Sequence, residues 1–139
     1  MAHVLAASHG SGHVRRARIG AIGEEAACRH LERAGLRILA RNWKSRYGEI
    51  DLVAEEDRTI VFVEVKARTS EAFGSPEEAI TSSKIRRIRL AASSYLESRN
   101  LHDVNWRIDA VAVRCSPNGL IHSVEHYRDA APPGSLAAP

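Results

Sequence analysis

Residues 59–68, TIVFVEVKAR, constrain the fold more than any other stretch of this chain. Strand side chains alternate, so Ile60, Phe62, Glu64, Lys66 and Arg68 share one face while Val61, Val63 and Val65 share the other. Both faces begin apolar, as in a central strand covered on both sides. Such a strand demands a layer above and a layer below. The face that starts with Ile60 and Phe62 turns from hydrocarbon to charge as the strand ends, and charges placed there need partners.

The flanking sequence supplies the layers. Ile19, Ile22, Ala26, Ala27 and Leu31 recur at helical spacing before the stop signal Gly35, which predicts a first helix over 19–34. LRILARNW predicts a strand, and Lys44, Ser45, Arg46 and Tyr47 a basic turn before Gly48. GEIDLVAE and TIVFVEVKAR, joined at Glu56, Asp57 and Arg58, predict a β-hairpin. After the loop signal AFGSP, Ser75 and Pro76 are expected to cap and open a second helix, which runs to about Ser98 on Ile80, Ile85, Ile88, Ala92, Tyr95 and Leu96. A strand over 105–115, a turn at Pro117 to Gly119 and a last strand over 120–127 complete the order α-β-β-β-α-β-β. The fold class implied is α/β, with a mixed central β-sheet flanked by α-helices in one domain over 18–128. Residues 1–17 and 129–139 lack periodicity and are expected to form a flexible leader and tail.

Composition removes several classes of function. With 44% hydrophobic and 27% charged residues, the chain has no apolar run of membrane-spanning length. In the first twenty residues the arginines follow the short apolar piece, the reverse of a secretory signal. A cytoplasmic protein with no membrane association is therefore expected. Cys28 and Cys115 stand in no ligand spacing, so buried reduced thiols are expected rather than zinc or a disulfide. A formal charge of +3 is too mild to declare a nucleic-acid binder. Its distribution says more: Arg15, Arg16 and Arg18, then Arg41, Lys44 and Arg46, then Lys84, Arg86, Arg87 and Arg89 form clusters suited to phosphate contacts.

If the hairpin turns midway between Asp57 and Arg58, Asp51 lies as far before the turn as Glu64 lies after it, and the two carboxylates oppose each other. Opposed β-carbons lie about 5 Å apart, a spacing at which two carboxylates converge on one hard cation. Magnesium prefers oxygen ligands and tolerates being held by one or two carboxylates plus water and substrate phosphate. Lys66 follows on the same face, about 7 Å along the strand, within reach of a bound water or an attacked phosphate. On the first helix only Glu24 borders the buried face, whereas Glu25 points away. On the second, Lys84 falls inside the apolar stripe, where a lysine either snorkels out or reaches a carboxylate or phosphate. The bland alternative is a cross-strand ion-pair cluster without chemistry. Trp43 and Tyr47 are placed to stack on unpaired bases, with the core as the alternative for Trp43. His30 is expected to be a packed core residue, His122 and His126 carry no assigned chemistry, and Asp109 is expected to be a buried, hydrogen-bonded structural carboxylate.

The pieces GEE (23–25), LARNWKSRYGEIDLVAEE (39–56), IVFVEVKAR (60–68), GSPEEAI (74–80) and WRIDAVAV (106–113) resemble the YraN family of bacterial proteins, over roughly residues 18–128. That family looks like a compact restriction-endonuclease-like PD-(D/E)xK fold and is similar in plan to archaeal Holliday-junction resolvases. The resemblance implies Asp51 as the isolated aspartate, Glu64 and Lys66 as the ExK pair, and Glu24 as the helix-one glutamate; the proline of the motif is absent before Asp51. It implies a magnesium- or manganese-dependent DNA endonuclease acting on branched or otherwise structured DNA in repair or recombination. Asp51, Glu64 and the Val65 backbone carbonyl would hold the ion, Lys66 would activate water or stabilise the transition state, and Glu24 would add a ligand or an outer contact. Arg41, Lys44, Arg46, Tyr47, Arg68, Lys84 and Arg87 would contact the nucleic acid, and a homodimer is expected by analogy. The rival reading is a non-catalytic DNA-binding accessory protein that keeps the nuclease frame; a nuclease directed at RNA is a third.

Overall fold

The computed structural model describes residues 12–69 and 81–131. Helix α1 (Gly12–Arg33) is followed by strands β1 (Arg37–Ser45), β2 (Gly48–Glu56) and β3 (Thr59–Thr69), helix α2 (Ser82–Ser98), and strands β4 (Asn105–Cys115) and β5 (Ile121–Tyr127). The strands form one sheet in the order β1-β2-β3-β4-β5. Neighbours are antiparallel except β3 and β4, which run parallel from Thr59↔Asn105 to Thr69↔Cys115. A parallel neighbour requires a crossover, and α2 lies within it. The expected mixed α/β sheet and element order are therefore present.

β3 takes the centre because both its faces are apolar. On one, Val61 and Val63 join Leu52, Ala54, Val111 and Val113 beneath Ala27, Cys28 and Leu31 of α1. On the other, Ile60 and Phe62 join Ile50, Val53 and Ile108 beneath Ile85, Ile88, Ala91, Ala92 and Tyr95 of α2. Tyr95 meets both Trp43 and Phe62 edge to face, with ring centres 5.3 and 5.8 Å apart. Each large side chain so buried contributes about 1.5–3 kcal/mol. Cys28 and Cys115 are buried thiols, as expected. No helix among the described residues is long and apolar enough to cross a membrane.

The hairpin arithmetic holds. Asp57 and Arg58 both have positive φ, 48° and 69°, the geometry of a two-residue turn whose twist matches the strands. Pairing then runs from Glu56↔Thr59 to Leu52↔Val63. Both helix starts differ from expectation. α1 begins at Gly12, not near residue 19, because Arg15, Arg16, Ala17 and Arg18 are good helix formers that carry no apolar stripe for a periodicity argument to detect. α2 begins at Ser82, where the Thr81 hydroxyl accepts the Lys84 N–H at 3.2 Å as an N-cap; Ser75, Pro76 and the 74–80 motif lie outside the described residues. Lys84 thus stands in the first turn of α2.

Candidate active site

Beyond Leu52 and Val63 the sheet divides. β2 keeps pairing with β1 as far as Ser45↔Gly48, and β3 keeps pairing with β4 as far as Thr69↔Cys115, while β2 and β3 leave each other. A notch opens between residues 48–51 and 64–69, and Asp51 and Glu64 are the first residue on either wall. Asp51 does not pair through its backbone. Its Oδ2 accepts the Val65 N–H at 2.8 Å, so a side-chain oxygen stands where a ladder carbonyl would stand.

Two lysines converge on Glu64. Lys66 Nζ lies 3.2 Å and Lys84 Nζ 3.1 Å from the same oxygen, Oε2. Glu64 is only 8% exposed, and a carboxylate buried to that degree requires such compensation. Asp51 sits differently. Burial first, and then the charge of Glu64, push its carboxyl up to about 7, against the opposing Val65 N–H. Glu24 is also raised, by burial first and by the charges of Glu49 and Glu64, although a hydrogen bond from Asn42 opposes this. That bond, Asn42 Nδ2 to Glu24 Oε1, is 2.8 Å. The notch therefore collects carboxylates whose mutual repulsion a divalent cation would relieve.

Among the described residues, no three His, Cys, Asp or Glu side chains are close enough to hold an ion by themselves. The donor set fits an open site of two carboxylates, completed by water and substrate oxygen, rather than a closed cage. Glu24 does not complete a three-ligand cluster and stands as an outer carboxylate tied to Asn42.

The residues expected to contact nucleic acid divide. Lys84 reaches the notch, and the Arg87 side chain lies over Gly48, whose φ of +132° and contact with Arg87 leave no room for a β-carbon. Arg68, with its Nη1 3.1 Å from the Ala67 carbonyl, joins Arg16, Glu24, Val65, Lys66 and Thr69 around a groove of about 600 Å³ beside the notch. Arg41 is held by Glu25 at 2.9 Å and Lys44 by Glu49 at 3.5 Å. Arg46 covers the Tyr47 ring and donates to its hydroxyl at 2.7 Å. Trp43, a candidate base-stacking residue, packs against Tyr95 in the core.

Sequence reasoning did not single out Asn42, Arg107 or Arg128. Asn42 has a φ of 49° within β1, and the one signal for it was a residue of low strand propensity and left-handed tolerance inside an apolar strand pattern. Asp109, fully buried as expected, receives Arg107 Nε at 2.9 Å, His126 Nε2 at 2.7 Å and the Asp129 N–H at 2.8 Å. Burial would raise it, but these hydrogen bonds hold it below the usual range. Arg107 and Arg128 also clasp Glu56. This cluster runs from Glu56 beside the hairpin turn to Asp109, whose backbone pairs with Val63 just before Glu64, and only the β4–β5 register brings His126 to it. His30 is half-buried along a shallow groove between α1 and β5.

Residues 23–113 match the profile described as Uncharacterised protein family UPF0102. Relatives bearing that family name include one from Rhodococcus jostii, 49% identical over 112 residues, covering 81% of this chain and 94% of the relative. One from Mycolicibacterium smegmatis is 48% identical over 107 residues, covering 76% and 86%. A third, from Pelotomaculum thermopropionicum, is 44% identical over 112 residues, covering 81% and 93%.

Proposed function

From its membership of the uncharacterised protein family UPF0102, to which this chain belongs, and from the chemistry of the notch, we propose that the protein is a divalent-metal-dependent endonuclease that hydrolyses DNA phosphodiester bonds. In this reading the domain is a restriction-endonuclease-like one of the YraN kind, and structured or branched DNA is its substrate class. One observation carries the proposal: two opposed carboxylates, Asp51 and Glu64, stand at the point where the sheet divides, with two ammonium groups on the second.

Asp51 and Glu64 would hold magnesium or manganese, together with the Val65 carbonyl. The chemistry the ion supplies when bound is polarisation of a phosphoryl oxygen and acidification of a water. The remainder belongs to the chain. The Val65 N–H fixes the Asp51 carboxylate across the notch. Glu64 holds Lys66 and Lys84 on one oxygen, and with Glu64 serving as a ligand both ammoniums would be available to a phosphate. Lys66, on the strand beside the scissile position, orients the attacking water or stabilises charge on the pentacovalent phosphorus; Lys84, from the first turn of α2, steadies a neighbouring phosphate. Arg16 and Arg68 line the groove that continues from Lys66 along α1, a path for the flanking strand.

The test incubates the full chain with linear, nicked, flapped and four-way DNA in magnesium or manganese, beside Asp51→Ala and Lys66→Ala. We expect cutting by the parent, a fall of at least about 100-fold in either variant, and retained binding in both. Cutting that survives both substitutions would remove the notch from the mechanism. Binding to every substrate without cutting would return the accessory-protein reading.

A further inference from the structure

Asn42 interrupts β1 at the one place where interruption reaches the notch. It falls between the pairs Arg41↔Leu52 and Trp43↔Ile50, faces Asp51 in that register and makes no ladder pair of its own. Its φ of 49° is left-handed, a conformation that is strained for most side-chain-bearing residues and that asparagine tolerates best. The consequence appears across the ladder. Ile50 packs with Val53 beneath α2, whereas Leu52 and Ala54 pack beneath α1, so strict alternation along β2 breaks at Asp51. The Asn42 side chain meanwhile donates to Glu24 Oε1 on α1 at 2.8 Å. One residue thus joins the backbone irregularity opposite Asp51 to the carboxylate behind it.

We propose that Asn42 is a positioning residue for a divalent cation in the notch: its left-handed backbone turns Asp51 out of the ladder, and its amide orients Glu24 toward the outer shell of the ion. The proposal rests on the metal-site reading above. Groups that orient ligands or their hydrogen-bond partners typically account for 10- to 100-fold in metal affinity. Glycine adopts a positive φ without cost, so Asn42→Gly keeps the bend and deletes only the amide. Asn42→Ala deletes the amide and also makes the bend costly.

The experiment titrates Mn²⁺ into the full-length protein and follows free Mn²⁺ by electron paramagnetic resonance, with thermal melts of every variant. Asn42→Gly should weaken Mn²⁺ binding about tenfold and leave the Tm within a few degrees of the parent. In a Glu24→Ala background the same substitution should change affinity less than about twofold, because the group through which the amide acts is gone. Asn42→Ala should bind no better than Asn42→Gly and melt lower. Parent-like or tighter binding by Asn42→Gly, or an equal loss in both backgrounds, would overturn the role of Asn42. Complete loss of binding in Glu24→Ala alone would overturn the outer-shell assignment. If the parent binds no Mn²⁺ at millimolar concentration, the metal-site reading fails and takes this proposal with it.

Discussion

Asp51, with its carboxyl near pH 7, is the residue whose titration distinguishes the notch from an ordinary ion-pair cluster. Its folded-state value lies above the ordinary 3.8, so the ionised form is disfavoured in the fold. No penalty exists below about pH 4; it grows as pH rises toward 7 and is complete above that. Asp51→Asn should therefore stabilise metal-free protein at pH 8 by on the order of 1–3 kcal/mol, seen as a higher Tm, and change nothing near pH 4. Saturating Mg²⁺ should reverse the order at pH 8, since the parent alone then gains from binding. A pH-independent difference in melting temperature would sink this account. The β2–β3 register, which ends at Leu52↔Val63 one residue short of Asp51 and Glu64, was legible in the sequence because it follows from the turn and the period of two. The raised carboxyl was not legible, because it depends above all on burial, and in part on the charge of Glu24 brought to it from α1.

At the scale of elements, the contact between α1 and β3 sets where Glu24 stands. A β-carbon at Gly23 would lie 2.6 Å from the Ala67 β-carbon, so helix and strand meet with nothing between them. Gly23→Ala should force them apart and destabilise the fold by about 1–3 kcal/mol. Because Glu24 is the next residue, Mn²⁺ affinity should fall with it even at temperatures where the variant is fully folded. Gly20, one turn earlier, has nothing within 4 Å of the same position, and Gly20→Ala should be neutral or stabilising by up to about 1 kcal/mol. Equal melting temperatures for the two variants would show that the close approach at Gly23 is unimportant. The existence and type of these elements could be read from apolar spacing. Their starts could not, since the first residues of α1 carry no apolar stripe and a lone Thr81 gives little sequence sign that it caps the helix over 82–98.

Across the whole molecule, the two ends of the sheet respond to acid in opposite senses. At the hairpin end, hydrogen bonds from Arg128 and Arg107 lower the Glu56 carboxyl to about 2, so its contribution is present above the ordinary 4.5 and is lost as pH falls toward 2. Glu56→Gln should cost about 1 kcal/mol of stability at pH 7, seen as a lower Tm, with the deficit closing below pH 3. On the proposed endonuclease reading, cleavage at low temperature should be untouched, because Glu56 stands beside the hairpin turn at the far end of β2 from the notch. If Glu56→Gln abolished cleavage while still folded, the two ends would be coupled and the separation drawn here would be wrong. The sequence by itself determined the α/β class and the hairpin register that runs up to Leu52↔Val63, just short of Asp51 and Glu64, since these follow from short-range periodicity and one turn. Only the tertiary structure decided that Lys84 shares Glu64 with Lys66, that Arg41 turns to Glu25, that Trp43 joins the core, and that His126 closes on Asp109. Each of those depends on how helices and non-adjacent strands are set against one another, and that placement is fixed by packing of the whole core rather than by any local pattern.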